Sequence, residues 1–207
     1  MARLVKSKAD VTLAIIAGGQ SRRMGRDKAF VDLAGKPLIE HVIERSADLG
    51  QAETILITNK PAQYARLGLP MYRDLLPEKG SLGGIYTALA QASSPDVLVL
   101  ACDMPFVNTD LLRYLVDQIR ADIDIIVPRV DGYPQGLHAI YKTTCIEPIA
   151  EQLAADQLKI IRFYDQMRVR YLDESDYAAS DPLGRSFANL NTPEELAEAE
   201  RLLRAAD

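Results

Sequence analysis

A short apolar run that leads directly into paired glycines and a group of cations constrains this chain more than any other feature. Residues 13–17 are apolar, as is typical of a buried strand. Gly18 and Gly19 follow, and glycine allows a tight turn in which backbone N–H groups come close to an anion. Four cations fall within seven residues immediately afterwards: Arg22, Arg23, Arg26 and Lys28. This order predicts a phosphate-binding loop at the end of a strand.

The spacing of this loop excludes two common phosphate motifs. A P-loop needs four residues between its first glycine and Gly-Lys-Ser/Thr, and a dinucleotide fingerprint needs Gly-x-Gly-x-x-Gly. Neither pattern occurs here. A glycine turn with solvated arginines is the plainer alternative. The combination of strand, paired glycines and clustered cations favours the phosphate site over that alternative.

Length and charge bound the possible architectures and partners. The 207 residues suit one domain spanning 1–207, with a core over about 11–204 and a flexible tail over 1–10. The net charge of −5 disfavours a general nucleic-acid binder, which is more often basic. The cations are instead concentrated at the first loop, which indicates a local anion site in an acidic protein.

Cysteine content and hydropathy predict a cytoplasmic protein. Cys102 and Cys145 have no metal-site spacing and do not make a disulfide framework, so a reducing compartment is the simplest context. No apolar stretch approaches the roughly 20 residues needed to span a bilayer, and we expect no membrane partner. The apolar run after the basic N-terminus ends in Gly-Gly, which is not a signal-peptide cleavage site.

Strand and helix patterns alternate along the chain. The periodicity predicts strands at 13–17, 53–58, 97–101, 123–127, 138–141 and 168–172. It predicts a helix that begins at Pro37, helices capped by Ser81, Thr109 and Thr192, and two more over 143–155 and 157–166. The polar segment 173–185, which contains glycine and proline, is predicted to be a loop. We therefore expect an α/β fold: a single-domain, mainly parallel twisted sheet with helices on both faces. Ligands bind such sheets beyond the carboxyl ends of the strands.

Asp103 follows the continuous apolar strand predicted at 97–101 and is the candidate metal ligand. Mg²⁺ prefers oxygen ligands and usually takes one or two carboxylates, with waters and substrate phosphates completing its coordination. A turn-forming aspartate before a proline explains Asp103 equally well by itself. Together with the glycine loop, the metal site is favoured. Cys102 fits a small core residue, since no activating base can be assigned to it.

The wording of these segments closely resembles the molybdenum cofactor guanylyltransferases, the MobA family of nucleotidyltransferases. The first matching motif is Ile-Ala-Gly-Gly-Gln-Ser-Arg-Arg-Met-Gly-Arg-Asp-Lys at 16–28, and the second is the glycine-rich stretch at 80–84. The third is Cys-Asp-Met-Pro at 102–105, and the fourth is Asn-Leu-Asn-Thr-Pro-Glu-Glu-Leu at 189–196. The four motifs occur in the family's order between about residues 11 and 204.

The resemblance implies a role for each matching residue. It assigns catalysis to Arg22, Arg23, Lys28 and Asp103, with Asp103 also the metal ligand. It assigns nucleotide binding to Ile16, Ala17, Gly18, Gly19, Lys28, Asn59, Asp74, Gly83 and Asp103, with Thr58 as an alternative to Asn59. It assigns the second substrate to Asn189 and Asn191. A salt-bridged or turn aspartate remains the alternative for Asp74.

By resemblance, the protein is expected to transfer GMP from GTP to the phosphate of molybdenum-molybdopterin, with Mg²⁺ as cofactor. The recipients of the product would be molybdoenzymes or their chaperones. A cytidylyltransferase for the same pterin and a sugar-phosphate nucleotidyltransferase are the enzymatic alternatives. A delivery module that binds nucleotide or pterin without turnover is the non-enzymatic one.

Overall fold

A computed structural model describes residues 10–18, 27–190 and 192–204. Among the predicted site residues, Gly19, Arg22, Arg23 and Asn191 lie outside these ranges. The predicted flexible tail also lies outside them, apart from Asp10.

Strands and helices alternate over the described ranges, as the sequence predicts. The strands are β1 Val11–Ile16, β2 Asp32–Leu33, β3 Lys36–Pro37, β4 Glu53–Ile57, β5 Met71–Tyr72, β6 Asp96–Ala101, β7 Ile125–Val130, β8 Tyr133–Pro134, β9 His138–Lys142 and β10 Val169–Leu172. The α-helices are α1 Leu38–Ser46, α2 Pro61–Tyr64, α3 Gly80–Gln91, α4 Thr109–Asp117, α5 Ile146–Ala154, α6 Glu174–Tyr177 and α7 Pro193–Arg204. Short 3-10 helices cover Lys28–Phe30, Ala47–Leu49, Ala65–Leu67, Thr143–Cys145 and Ile160–Gln166. None of the described helices is both long and apolar enough to cross a membrane.

The main sheet is mixed but mostly parallel. Its strand order is β10-β7-β9-β6-β1-β4-β5, with β8 paired to β7. Strand β9 runs antiparallel to both of its neighbours, β6 and β7, while the remaining pairs along this order are parallel. Because β9 is antiparallel to both β6 and β7, those two strands point the same way. The carboxyl ends of six strands therefore meet at one edge of the sheet, where β9 begins.

Apolar layers on both faces of the sheet form the core. Every residue of β1 and β6 is buried, as expected of central strands covered on two sides. One layer packs α1 and α4 against the sheet through residues such as Val42 and Leu112. The other packs α3 and α5 through residues such as Ile85 and Leu153. The predicted fold class is confirmed, with β9 as the antiparallel exception.

Several predicted helix starts are wrong by one or two residues. Pro37 ends β3 and precedes α1 in an extended conformation, with φ −58° and ψ 144°, rather than beginning the helix. Ser81 does not cap α3, which begins at Gly80 without a side-chain cap. Asn108, not Thr109, caps α4, because its side chain accepts the N–H of Asp110. The Thr109 hydroxyl donates instead to the carbonyl of Arg45.

The second half of the chain shows one confirmed cap and two differences. Thr192 and Glu195 form the predicted reciprocal capping box at the start of α7. The predicted helix over 157–166 is a 3-10 helix that begins at Ile160. The segment 173–185, predicted to be a loop, contains the short helix α6, which Asp173 caps.

Asp124 connects three separate segments at the start of β7. Its carboxylate accepts bonds from the Arg168 guanidinium at 2.7 Å twice, from the Arg168 backbone N–H at 3.1 Å and from the Thr144 hydroxyl at 3.0 Å. Only 6% of the Asp124 side chain is exposed. The Arg168 guanidinium holds the pKa of this carboxyl well below its usual range. Asp124 therefore fixes β10 and the chain after β9 against β7.

Replacing Asp124 with Asn should lower the free energy of unfolding by about 2 kcal/mol near neutral pH, because a mostly buried carboxylate loses its charge-assisted bonds. A lowered folded-state pKa contributes stability above the unfolded pKa of about 4 and loses it as pH falls. Denaturant unfolding at several pH values measures this. The difference between wild type and variant should shrink below about pH 4. The exposed Asp110→Asn serves as control, and an equal loss in both variants contradicts the assignment.

Candidate active site

The register of the sheet places four predicted site residues in one row. The ladders align one residue from each of four adjacent strands: Tyr72, Ile57, Ile16 and Ala101. The residues two positions beyond this row are Asp74, Asn59, Gly18 and Asp103. Two backbone bonds extend the ladder past the strand ends, from Ala17 N to Ile57 O at 2.9 Å and from Cys102 N to Ile16 O at 3.2 Å. The predicted residues from these four strand ends therefore lie side by side.

This row crosses the point where the sheet changes its direction of growth. The chain leaves β1 to form β4 and β5 on one side, then returns through α3 to form β6 on the other. Loops diverge at such a switch point and leave a crevice beyond the strand ends, where ligands bind. Gly18 and Asp103 flank that crevice. Adjacent strands lie about 4.8 Å apart, so the four strands that lead into this row span roughly 14 Å.

Lys28 and Asp103 form an ion pair at the β6 end of the row. The Lys28 Nζ lies 3.5 Å from Asp103 Oδ2, and the two side chains are 22% and 20% exposed. Both charged ends are thus partly shielded but still accessible to a ligand. A cation and an anion in contact at a strand end can bind a phosphate and a metal ion respectively.

Asp27 positions Lys28, a role that the sequence analysis does not predict. Its carboxylate accepts the backbone N–H of Ala29 at 3.3 Å and caps the 3-10 helix that starts with Lys28. The Lys60 Nζ, just beyond β4, lies 3.6 Å from the same carboxylate. An aspartate before a helical turn is a common cap, but its link to Lys60 is long-range and leaves no local sequence signal.

Asn59 and Asp74 form a reciprocal pair at the other end of the row. The Asn59 side-chain Nδ2 donates to Asp74 Oδ2 at 2.7 Å, and the Asn59 side-chain Oδ1 accepts the Asp74 backbone N–H at 3.0 Å. Burial raises the pKa of the Asp74 carboxyl, and the Asn59 bond partly offsets this. Thr58 is buried, with its hydroxyl oxygen accepting the N–H of Lys60. Asn59, not Thr58, is therefore the accessible residue at this strand end.

Gly83 lets the first turn of α3 pack closely against the chain before it. A Cβ at this position would lie 2.8 Å from the Cβ of Lys79 and 3.3 Å from the carbonyl oxygen of Leu76. Thr87, one turn later, accepts the N–H of Leu75 and donates to the Gly83 carbonyl. These bonds hold the segment after Asp74 against α3. The close packing therefore requires a glycine at position 83, independently of the predicted nucleotide contact.

The C-terminal segment reaches the same site through the backbone. The Leu190 N–H donates to the Asp103 carbonyl at 3.2 Å, while the Leu190 side chain is buried against a small apolar cluster. This bond fixes Asn189, which is exposed, in the neighbourhood of Asp103. The sequence motif at 189–196 and the Cys-Asp-Met-Pro motif are thus in direct contact.

The donor set fits a metal that needs few protein ligands. Among the described residues there is no group of three or more His, Cys, Asp or Glu side chains that could hold an ion alone. Asp103 supplies a single accessible carboxylate. That composition suits Mg²⁺, which keeps most of its waters or takes substrate phosphates, and does not suit a structural zinc site.

Neither cysteine nor histidine supplies the chemistry of this site. Burial raises the pKa of the Cys102 thiol well above its usual range, which keeps it a protonated core residue. Burial likewise lowers the pKa of His138 to about 3, so its imidazole stays neutral. His41 bonds the carbonyl of Leu33 at 2.9 Å and has a structural role.

A family model and similar known proteins both match this chain over most of its length. A family model described as the MobA-like NTP transferase domain matches residues 13–170. A protein of Pelotomaculum thermopropionicum, named probable molybdenum cofactor guanylyltransferase, is 38% identical over 91% of this chain and 91% of its own length. A protein of Natranaerobius thermophilus with the same name is 35% identical over 94% of this chain and 97% of its own.

A solved structure extends this similarity to the fold. The molybdopterin-guanine dinucleotide biosynthesis protein A of Archaeoglobus fulgidus superposes with a TM-score of 0.82 at 30% identity. The match covers 94% of this chain and 99% of that one.

Replacing Gly83 with Ala should destabilise the protein by about 1 kcal/mol and weaken nucleotide binding. The new methyl group meets the Lys79 Cβ, which sits next to the backbone and cannot swing away, so the first turn of α3 must move. Thermal unfolding and nucleotide titration measure the two effects. Ser81→Ala in the same turn is the control and should be nearly neutral, because Ser81 does not cap the helix. Unchanged stability and affinity in the Gly83 variant would contradict this packing role.

Proposed function

The chain belongs to the family of MobA-like NTP transferase domains, and on that premise we propose that it transfers GMP from GTP to the phosphate of molybdenum-molybdopterin. The products would be the guanine dinucleotide form of the cofactor and pyrophosphate. The observation that carries this proposal is the adjacent Lys28 and Asp103 at the switch point of a sheet shared with molybdenum cofactor guanylyltransferases.

The main physical problem of this reaction is bringing two polyanions together. The acceptor phosphate is already ionised near neutral pH, so the protein has no need of a strong general base. Catalysis then consists of in-line positioning and charge neutralisation. In our proposal the GTP base lies at the Asn59–Asp74 end of the row and its phosphates lie towards Lys28. The roughly 14 Å spanned by the four strands that lead into the row suits an extended nucleotide.

Each cation has a defined role in this proposal. Lys28 binds the triphosphate as a point charge, and Arg22 and Arg23, from the first loop, neutralise the pyrophosphate that leaves. The backbone of Ala17, Gly18 and Gly19 donates to the nucleotide. Asp103 would hold Mg²⁺, which supplies neutralisation of phosphate charge when it is bound. Asn189 and Asn191 contact the acceptor.

Buried thiols agree with a reducing setting, and we place the reaction in the cytoplasm, with molybdoenzymes or their chaperones receiving the product.

The function is tested by supplying purified protein with Mg²⁺, molybdenum-molybdopterin and each of GTP, CTP, ATP and UTP in turn. We expect pyrophosphate release with GTP and a guanine dinucleotide product by mass spectrometry. Release with CTP instead would keep the reaction class and change the base. Nucleotide binding without any pyrophosphate release would overturn the enzyme assignment in favour of a delivery module.

Asp103→Asn should lower kcat by at least about a hundredfold while the protein stays folded, because the neutral amide binds a divalent cation poorly. Turnover and circular dichroism measure the two parts of this prediction. Asp110→Asn is the matched control, since Asp110 is exposed on α4 and pairs only with Arg113 in the described structure. Wild-type Mg²⁺-dependent turnover in the Asp103 variant would refute the metal-ligand role.

A further inference from the structure

A groove of about 490 Å³ lies near β10, at the opposite end of the strand order from the Asn59–Asp74 pair. It opens where β8, β10 and the last 3-10 helix meet. The residues that line it are Pro134, Lys159, Ile161, Arg162, Asp165 and Tyr171. None of them has a role in the function proposed above, so the groove requires its own explanation.

The 3-10 helix aligns the charged residues of this groove. Lys159 precedes the helix, and its carbonyl accepts the N–H of Arg162 at 3.1 Å. Side chains three residues apart eclipse one another in a 3-10 helix. Arg162 and Asp165 therefore project along one face of the helix, and Lys159, at its N-cap, lines the same groove. Phe163, on a different face of the helix, is fully buried in the core.

The backbone beneath Lys159 is firmly held although it has no regular structure. The amide of Gln152, a side chain on α5 that is only 7% exposed, donates to the carbonyl of Gln157 at 2.8 Å and to that of Lys159 at 2.9 Å. A buried amide that satisfies two carbonyls costs little to desolvate and restrains both. Lys159 thus extends from a fixed position.

Tyr171 provides an aromatic wall. Tyr171 is 42% exposed, and the Arg129 guanidinium lies 5.0 Å from the centre of its ring. Arg129 is itself neutralised by two bonds of 2.8 Å to the Asp173 carboxylate. The ring is therefore positioned by its neighbours and still presents apolar surface to the groove.

The groove is electropositive within an acidic protein. Among the described residues, neither Lys159 nor Arg162 forms an ion pair. Asp165 is the single carboxylate that lines the groove, against two cations. The chain as a whole has a net charge of −5. Two uncompensated cations next to an exposed aromatic ring fit a ligand that is both anionic and planar.

A short loop connects this groove to Asp103. Pro134 lines the groove, and the carbonyl of Leu137, three residues later, accepts the N–H of Ala101 at 3.0 Å. Three residues span at most roughly 11 Å. The loop is fixed between these points, because the Tyr141 hydroxyl donates to the Gly136 carbonyl at 2.7 Å. A ligand in the crevice at Asp103 could therefore extend along this loop into the groove.

We propose that the groove binds the distal part of the acceptor, with Lys159 and Arg162 on its anionic groups and Tyr171 against its planar heteroaromatic ring. The proposal rests on the proposed function, in which the acceptor is a pterin whose phosphate reacts near Asp103. The nucleotide and the acceptor then occupy opposite sides of Asp103 along the same edge of the sheet.

The test removes both charges at once with Lys159→Ala/Arg162→Ala. We expect the KM for molybdenum-molybdopterin to rise roughly tenfold or more, because two charge-assisted contacts are lost. The KM for GTP and kcat should stay unchanged, since neither the nucleotide nor the reacting phosphate touches the groove. Direct titration with molybdenum-molybdopterin alone, followed by pterin fluorescence, should show the same loss of affinity. Higher salt should weaken this binding in the wild type more than in the variant.

Arg201→Ala/Arg204→Ala removes two exposed cations from the end of α7 and is the matched control. An unchanged KM for the acceptor in an active Lys159/Arg162 variant overturns the groove assignment alone. A raised KM for GTP instead assigns the groove to the nucleotide and also overturns it. A wild-type protein that releases no pyrophosphate with any nucleotide refutes the proposed function, and the groove proposal with it.

Discussion

The position of β1 between β4 and β6 is the constraint on which the rest of the structure depends. Both ladders are in continuous register, and every residue of β1 is buried. A slip of one residue would move every β1 side chain to the opposite face and disrupt the apolar layers on both sides of the sheet, so the register is strongly enforced. The same register sets the row of residues beyond the strand ends. Packing of the core thus fixes the relative positions of Gly18, Asn59 and Asp103, although these residues lie far apart in the sequence.

The sequence predicts the strands better than their directions. Continuous apolar runs such as 97–101 identify buried strands, but apolar content does not reveal whether a neighbour is parallel. Loop length does carry that information for β9. Only seven residues separate β7 from β9, and a parallel crossover needs a dozen or more, so the antiparallel arrangement is the one that the chain allows. The start of α4 is displaced by one residue because two adjacent polar residues, Asn108 and Thr109, compete for the cap. The starts of α1 and α3 differ because neither helix has a side-chain cap for the sequence to reveal.

The sequence predicts the placement of candidate residues that directly follow strands and misses residues that act through long-range contacts. Asp74, Asn59 and Asp103 follow recognisable strands, so the fold brings them together as the sequence suggests. The contact between Asp27 and Lys60 spans two loops and has no periodic or local signal. The alignment of Arg162 with Asp165 follows from a 3-10 geometry that apolar spacing does not distinguish from an α-helix.

The ion pair between Lys28 and Asp103 also bears on how a site proposed to bind two polyanions stays folded without them. A lone lysine or a lone carboxylate at the crevice would each lack compensation. Pairing the two resolves both problems, while a separation of 3.5 Å and about one-fifth exposure keep the interaction weak. Ion pairs accessible to water contribute only about 0–1 kcal/mol, so exchanging them costs little. In the proposed reaction Lys28 exchanges Asp103 for phosphate, and Asp103 becomes available to a cation in the same event.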